Sequence, residues 1–143
     1  MCCCCKEFCP HDCKKALAYS ALIWIIGLAW GTAVFMTPGL KNWPTVPWIS
    51  QYPAISLPLL VAGPAILYFL SKEYLKDAKD AEKDGLRLGA TIAFSNLALD
   101  ALVYLVLFQS WNFFSYATIW VSYALFLTMP WYIGKKMQAG KTR

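Results

Sequence analysis

ALAYSALIWIIGLAWGTAVFM, residues 16–36, carries no charged side chain. Crossing about 30 Å of hydrocarbon takes roughly 20 helical residues at about 1.5 Å each, so this stretch is long enough to cross a bilayer. Inside lipid it has to be a helix, because an open strand edge would leave backbone groups without partners. Three further stretches read the same way. Residues 54–70 are apolar but contain Pro58 and Pro64; residues 88–108 carry one charge, Asp100; residues 113–133 carry none. The expected fold is all-α, a polytopic membrane protein of four transmembrane helices.

Composition leads to the same class. Of 143 residues, 59% are hydrophobic and only 15% charged, with a mean hydropathy of +0.46. A soluble domain carries about a quarter charged residues, and a chain this apolar has too little polar surface to cover itself in water. Long disorder, a coiled coil, a disulfide scaffold and a free nucleic-acid-binding domain are excluded as the main architecture. The expected partner is the lipid bilayer, and no nucleic acid is called for.

The connections fit four spans. Residues 37–53 hold Pro38, Trp43, Pro44, Pro47 and Trp48, which cannot form one continuous helix. Residues 71–87 are strongly charged and read as helix extensions standing clear of the membrane, and 109–112 as a tight turn. Lysine and arginine set orientation. Lys6, Lys14 and Lys15 precede the first span; Lys72, Lys76, Lys79, Lys83 and Arg87 separate the second from the third; Lys135, Lys136, Lys141 and Arg143 follow the fourth. With four spans all of these fall on one side, and only Lys41 lies opposite. Both termini are therefore expected in the cytoplasm. Gly31-Thr32-Ala33 is a weak cleavage pattern and the first apolar stretch is longer than a signal-peptide core, so it is read as a retained span. The chain divides into a cysteine-rich head (1–15), the bundle (16–136) and a basic tail (137–143).

An offset of 69 matches Leu17 with Leu86, Ala21 with Ala90, Ile23 with Ile92 and Leu28 with Leu97. Two helices per half would give parallel repeats about an axis along the membrane normal, although Leu, Ala and Ile also recur by chance in any apolar helix.

Asp100 lies near the middle of the third span, where an acid costs about 2.5–3.5 kcal/mol on insertion scales. Helical spacing lines up Gly89, Ala93, Asn96, Asp100 and Tyr104. Asn96, one turn away, is a possible donor to the carboxyl. No Lys, Arg or His lies within a span to pair with it, so desolvation favours the neutral acid. Asp100, Asn96 and Tyr104 form the candidate polar site, with two readings: a titrating group on a proton or cation pathway, or interhelical glue with Asn96, Tyr104, Ser122 or Tyr123. Gly27-x-x-x-Gly31 offers a small-residue face for a packing helix or another subunit.

All six cysteines lie within the first thirteen residues. On the cytoplasmic side disulfides are not the default. Cys5, Cys9 and Cys13 recur every four residues, Cys2 supplies a fourth thiolate and His11 stands in reserve. Four thiolates, or three and an imidazole, suit zinc. Cys2-x-x-Cys5-x-x-x-Cys9-Pro10 matches part of an iron–sulfur run, and Cu(I) is equally compatible with soft thiolates. S-acylation and a reduced tail without ligand stay open beside these.

Asn96-x3-Asp100, Phe113-Phe114-Ser115-Tyr116-x3-Trp120-x2-Tyr123 and Pro130-Trp131-x2-Gly134 resemble small four-helix membrane proteins of prokaryotes that have no assigned activity. The resemblance covers residues 85–136 and implies a compact four-helix bundle and no reaction.

The leading functional expectation is an accessory or scaffolding subunit of a larger membrane complex, with other membrane subunits or further copies of itself as partners and the thiol head as a metal-binding or docking element. The alternative is a small proton- or cation-coupled channel or transporter using Asp100. No nucleophile–base pair is apparent, so an enzyme is not expected.

Overall fold

The computed structural model describes residues 12–141. It is all-helical, with four long helices: α1 (Cys13–Met36), α3 (Pro53–Leu75), α4 (Ala81–Ala101) and α5 (Ala117–Lys141); α2 (Pro38–Lys41) is a single turn after α1. A π-helical stretch, Leu102–Leu107, continues α4, and a 3-10 turn, Asn112–Ser115, precedes α5. Three helices are long and apolar enough to cross a membrane: Cys13–Met36, Pro53–Leu75 and Ala81–Val106. The fourth, α5, has the length but interrupts its apolar residues with Thr118, Ser122, Tyr123, Thr128 and Pro130. Expectation and structure thus agree on four long helices and on three of them as candidate spans.

Boundaries follow local chemistry. Asp12 caps α1, its Oδ1 accepting from the Lys15 N–H at 3.0 Å, and Asp80 caps α4 in the same way through the Lys83 N–H at 3.2 Å. An acid at the N-cap and Glu82 and Asp84 in the first turn complement the exposed N–H groups and the helix dipole. Helix α4 accordingly begins at Ala81, ahead of the apolar stretch. Helix α5 starts at Ala117 rather than at 113, because its first N–H groups bond outward: Ala117 N to Trp48 O at 3.1 Å and Thr118 N to Ile49 O at 3.3 Å. The Pro- and Trp-rich segment is therefore an ordered cap on α5. It is pinned by a reciprocal bridge between Val46 and Ser50 and by Trp48 at φ 65°, a left-handed conformation uncommon for a side chain of that size.

Each long helix has two principal neighbours, in the cyclic order α1, α3, α5, α4. Opposite corners are α1 with α5 and α3 with α4. A two-fold axis along the bundle would exchange opposite corners, yet the halves proposed as repeats place α1 beside α4 and α3 beside α5. The 69-residue match is therefore not expressed as two parallel repeats; recurring Leu, Ala and Ile account for it.

Packing is uneven along the bundle. The buried core, with Ala16, Leu67, Tyr74, Leu75, Ala81, Leu88, Ile92 and Ile133, sits at the end holding both termini. Tyr74 ties α3 to the start of α1, its hydroxyl donating to Asp12 O and accepting from Asp12 N. Gln138 Oε1 accepts from Ala81 N at 3.0 Å, and Lys141 Nζ donates to Ala78 O at 2.9 Å. At this end α4 and α5 touch backbone to backbone. A Cβ on Gly85, Gly89 or Gly134 would collide with the main chain of Pro130, Leu127 or Ala81 respectively. Pro130 has no N–H, which leaves the Phe126 carbonyl without its helical donor, and this carbonyl also faces Gly89.

Candidate functional site

Away from that seam the helices diverge around a cavity of about 590 Å³ lined by all four. Its rim includes Met36, Lys41, Phe108 and Phe113, and its depth reaches Leu67, Asn96 and Phe126. Most of the wall is apolar. Among the described residues Asp100 is the only acidic one that lines it, and Lys41 the only basic one.

Two donors hold the Asp100 carboxylate. Trp24 Nε1 of α1 donates to Oδ1 at 2.9 Å, and the Tyr123 hydroxyl of α5 donates to Oδ2 at 2.5 Å. One side chain of α4 therefore joins three helices at the cavity wall. Each carboxylate oxygen has a second lone pair, so the group retains capacity for a proton or another donor. Immediately beyond it the helix widens into the π-helical stretch, where Phe108 N reaches back to Val103 O at 3.1 Å. Such stretches are frequent at functional sites.

The other members of the expected polar site do different jobs. Asn96 does not donate to Asp100. Its Nδ2 reaches Ser20 Oγ at 3.0 Å, Ser20 O at 3.3 Å and Ile92 O at 2.9 Å, and it is only 3% exposed. The reason is geometric: Ser20 of α1 faces Asn96 and supplies two acceptors across the interface. Tyr104 lines the same cavity and its ring stacks on Phe113, with centroids 3.8 Å apart and planes at 11°. All three residues thus reach one cavity, but as separate contacts and not as one hydrogen-bonded chain.

Gly27 and Gly31 also line the cavity, and no atom lies within 4 Å of where their Cβ would stand. They hold no helix against α1 within the chain. The close glycine contact belongs to Gly85-x-x-x-Gly89, the same motif in α4. Of the two partners of Asp100, Tyr123 is among the four side chains open to it from sequence, whereas Trp24 was not singled out. Indole groups are common in apolar helices, and only the tertiary contact marks Trp24.

The proposed metal ligands Cys2, Cys5 and Cys9, with His11, lie outside the described residues. Cys13 opens α1 and is partly buried. Among the described residues no group of three or more His, Cys, Asp and Glu is placed to hold a metal ion.

No family model, curated protein or solved structure matches the chain.

Proposed function

We propose that the chain is a small multi-pass membrane protein, with α5 as its fourth span and both termini in the cytoplasm, that acts as a proton- or cation-coupled carrier. The observation that carries this reading is Asp100, a carboxyl group on the wall of a largely apolar cavity, whose partners among the described residues are neutral donors. An acid at that depth is costly, and its replacement by a neutral amide would keep most of the interhelical bonding. Titration of the carboxyl changes what Trp24 and Tyr123 bind, so proton or ligand occupancy is coupled to how α1, α4 and α5 are held together. The apolar wall suits a small, mostly apolar solute. We assign no catalytic reaction to the chain.

The test is flux in vesicles containing the purified protein under an imposed pH gradient. Asp100→Asn is expected to abolish proton-dependent flux while leaving thermal stability within a few degrees of the parent. Unchanged flux in a folded variant would overturn the carrier reading.

One observation favours a second reading. Both oxygens of Asp100 already have donors within the chain, as in a carboxylate serving purely as structural glue, and a passive bundle fits an accessory subunit of a larger complex. In that case mild-detergent extraction from the native membrane brings stoichiometric foreign subunits. The segment with Cys2, Cys5, Cys9 and Cys13 is proposed in either case to hold zinc or an iron–sulfur cluster, which native mass spectrometry after anaerobic extraction would weigh directly.

A further inference from the structure

A second cleft, about 230 Å³, lies between α3 and α5 near the end that holds the termini. Tyr68 and Lys72 of α3 form one wall; Met129, Tyr132, Lys136 and Met137 of α5 form much of the other. The two helices are parallel neighbours, and each presents a Tyr-x-x-x-Lys pair to the same cleft. Each lysine lies over its own tyrosine ring, Lys72 Nζ at 5.7 Å from the Tyr68 centroid and Lys136 Nζ at 4.8 Å from that of Tyr132.

The positive charge of this cleft is not compensated within it. Three nearby cations do have carboxylate partners: Lys76 with Glu73, Lys83 with Asp80, and Arg87 with Asp84. Among the described residues Lys72 and Lys136 have no ion pair, and the cleft has no acidic lining residue. Two ammonium groups without an ion pair among the described residues thus line a slot whose other lining residues are methionine, isoleucine and tyrosine. Lysine heads lying over aromatic rings near the end of a span fit a membrane interface, where both side-chain types are favoured.

From this juxtaposition we infer that the α3–α5 cleft is a binding site for one anionic phospholipid, its phosphate held between Lys72 and Lys136 and the upper part of an acyl chain lying against Met129, Tyr68 and Tyr132. Charge complementarity selects an anionic headgroup, and the apolar slot selects a lipid over a free anion. The inference is independent of the carrier reading and requires only that the protein reside in a membrane.

Native mass spectrometry of the full chain in mild detergent tests it, titrating phosphatidylglycerol against phosphatidylcholine of identical acyl chains. One phosphatidylglycerol per chain is expected to bind in preference to phosphatidylcholine. Near-surface lysines contribute about a fivefold factor each, so Lys72→Gln with Lys136→Gln should weaken binding by roughly 25-fold. The pair Lys79→Gln with Lys135→Gln removes the same charge outside the cleft and should cost less than about threefold. Equal binding of both lipids, equal losses from the two double variants, or full displacement of the lipid by millimolar inorganic phosphate would each overturn the site. Both lysines are exposed, and a retained helical spectrum verifies that the variants are folded.

Discussion

Asn96 and Ser71 make opposite demands on the same bundle. Asn96 fills its amide donors with Ser20 of α1 and with Ile92 O, so truncation leaves the buried Ser20 groups short of a donor. Asn96→Ala is expected to destabilise by about 1–3 kcal/mol, read from SDS-driven unfolding out of lipid micelles. Ser71 is fully buried and its hydroxyl has no hydrogen-bond partner among the described residues. Since removing an unsatisfied hydroxyl relieves a desolvation cost, Ser71→Ala should leave stability unchanged or raise it in the same assay. Together these measurements separate polar groups that fasten helices from those merely enclosed by them.

Between elements, the decisive contact is the glycine seam of α4 and α5. Gly85, Gly89 and Gly134 each face opposing main chain, which cannot move aside as a side chain can. Gly89→Ala or Gly134→Ala should therefore cost about 1–3 kcal/mol through overpacking, whereas Gly27→Ala and Gly31→Ala, facing open space, should be close to neutral. Thermal denaturation of the four variants in one detergent decides it, and equal effects would contradict the seam. The start of α4 carries a pH dependence. Asp80 accepts from the Lys83 N–H and pairs with the Lys83 ammonium at 3.2 Å, which holds its carboxyl below the usual carboxylate range. Its contribution is present above that range and is lost as pH falls through the lowered value. Amide exchange at the first turn of α4, corrected for intrinsic rates, should accelerate at acidic pH in the parent but not in Asp80→Asn.

For the whole molecule, the basic residues gather with the termini, and the Trp-rich segment closes the other end over α5. If α5 crosses the bilayer, single cysteines replacing Asn112 and Lys135 in a cysteine-free background should react with a membrane-impermeant maleimide from opposite sides. Labelling from one side only would return α5 to a surface position. The tight seam at one end and the cavity at the other are two results of one arrangement. Where glycine lets α4 and α5 approach there is a core, and where Trp24, Tyr104 and Phe113 line the wall there is a void.

The number of long helices, the loop breaks at proline, the lysine asymmetry and the presence of one acid within an apolar segment were all legible in the chain. They depend on hydropathy, local propensity and the cost of charge in an apolar segment, which act within a few turns of one helix. Helix order around the bundle, the choice of Gly85-x-x-x-Gly89 over Gly27-x-x-x-Gly31, and the pairing of Asp100 with Trp24 were not legible. Two identical spacings of glycine are equivalent until a neighbouring backbone lies against one of them. A carboxylate likewise has no local preference between Asn96 four residues away and Trp24 and Tyr123 on other helices. These choices are made by packing between distant segments, and so they belong to the tertiary structure alone.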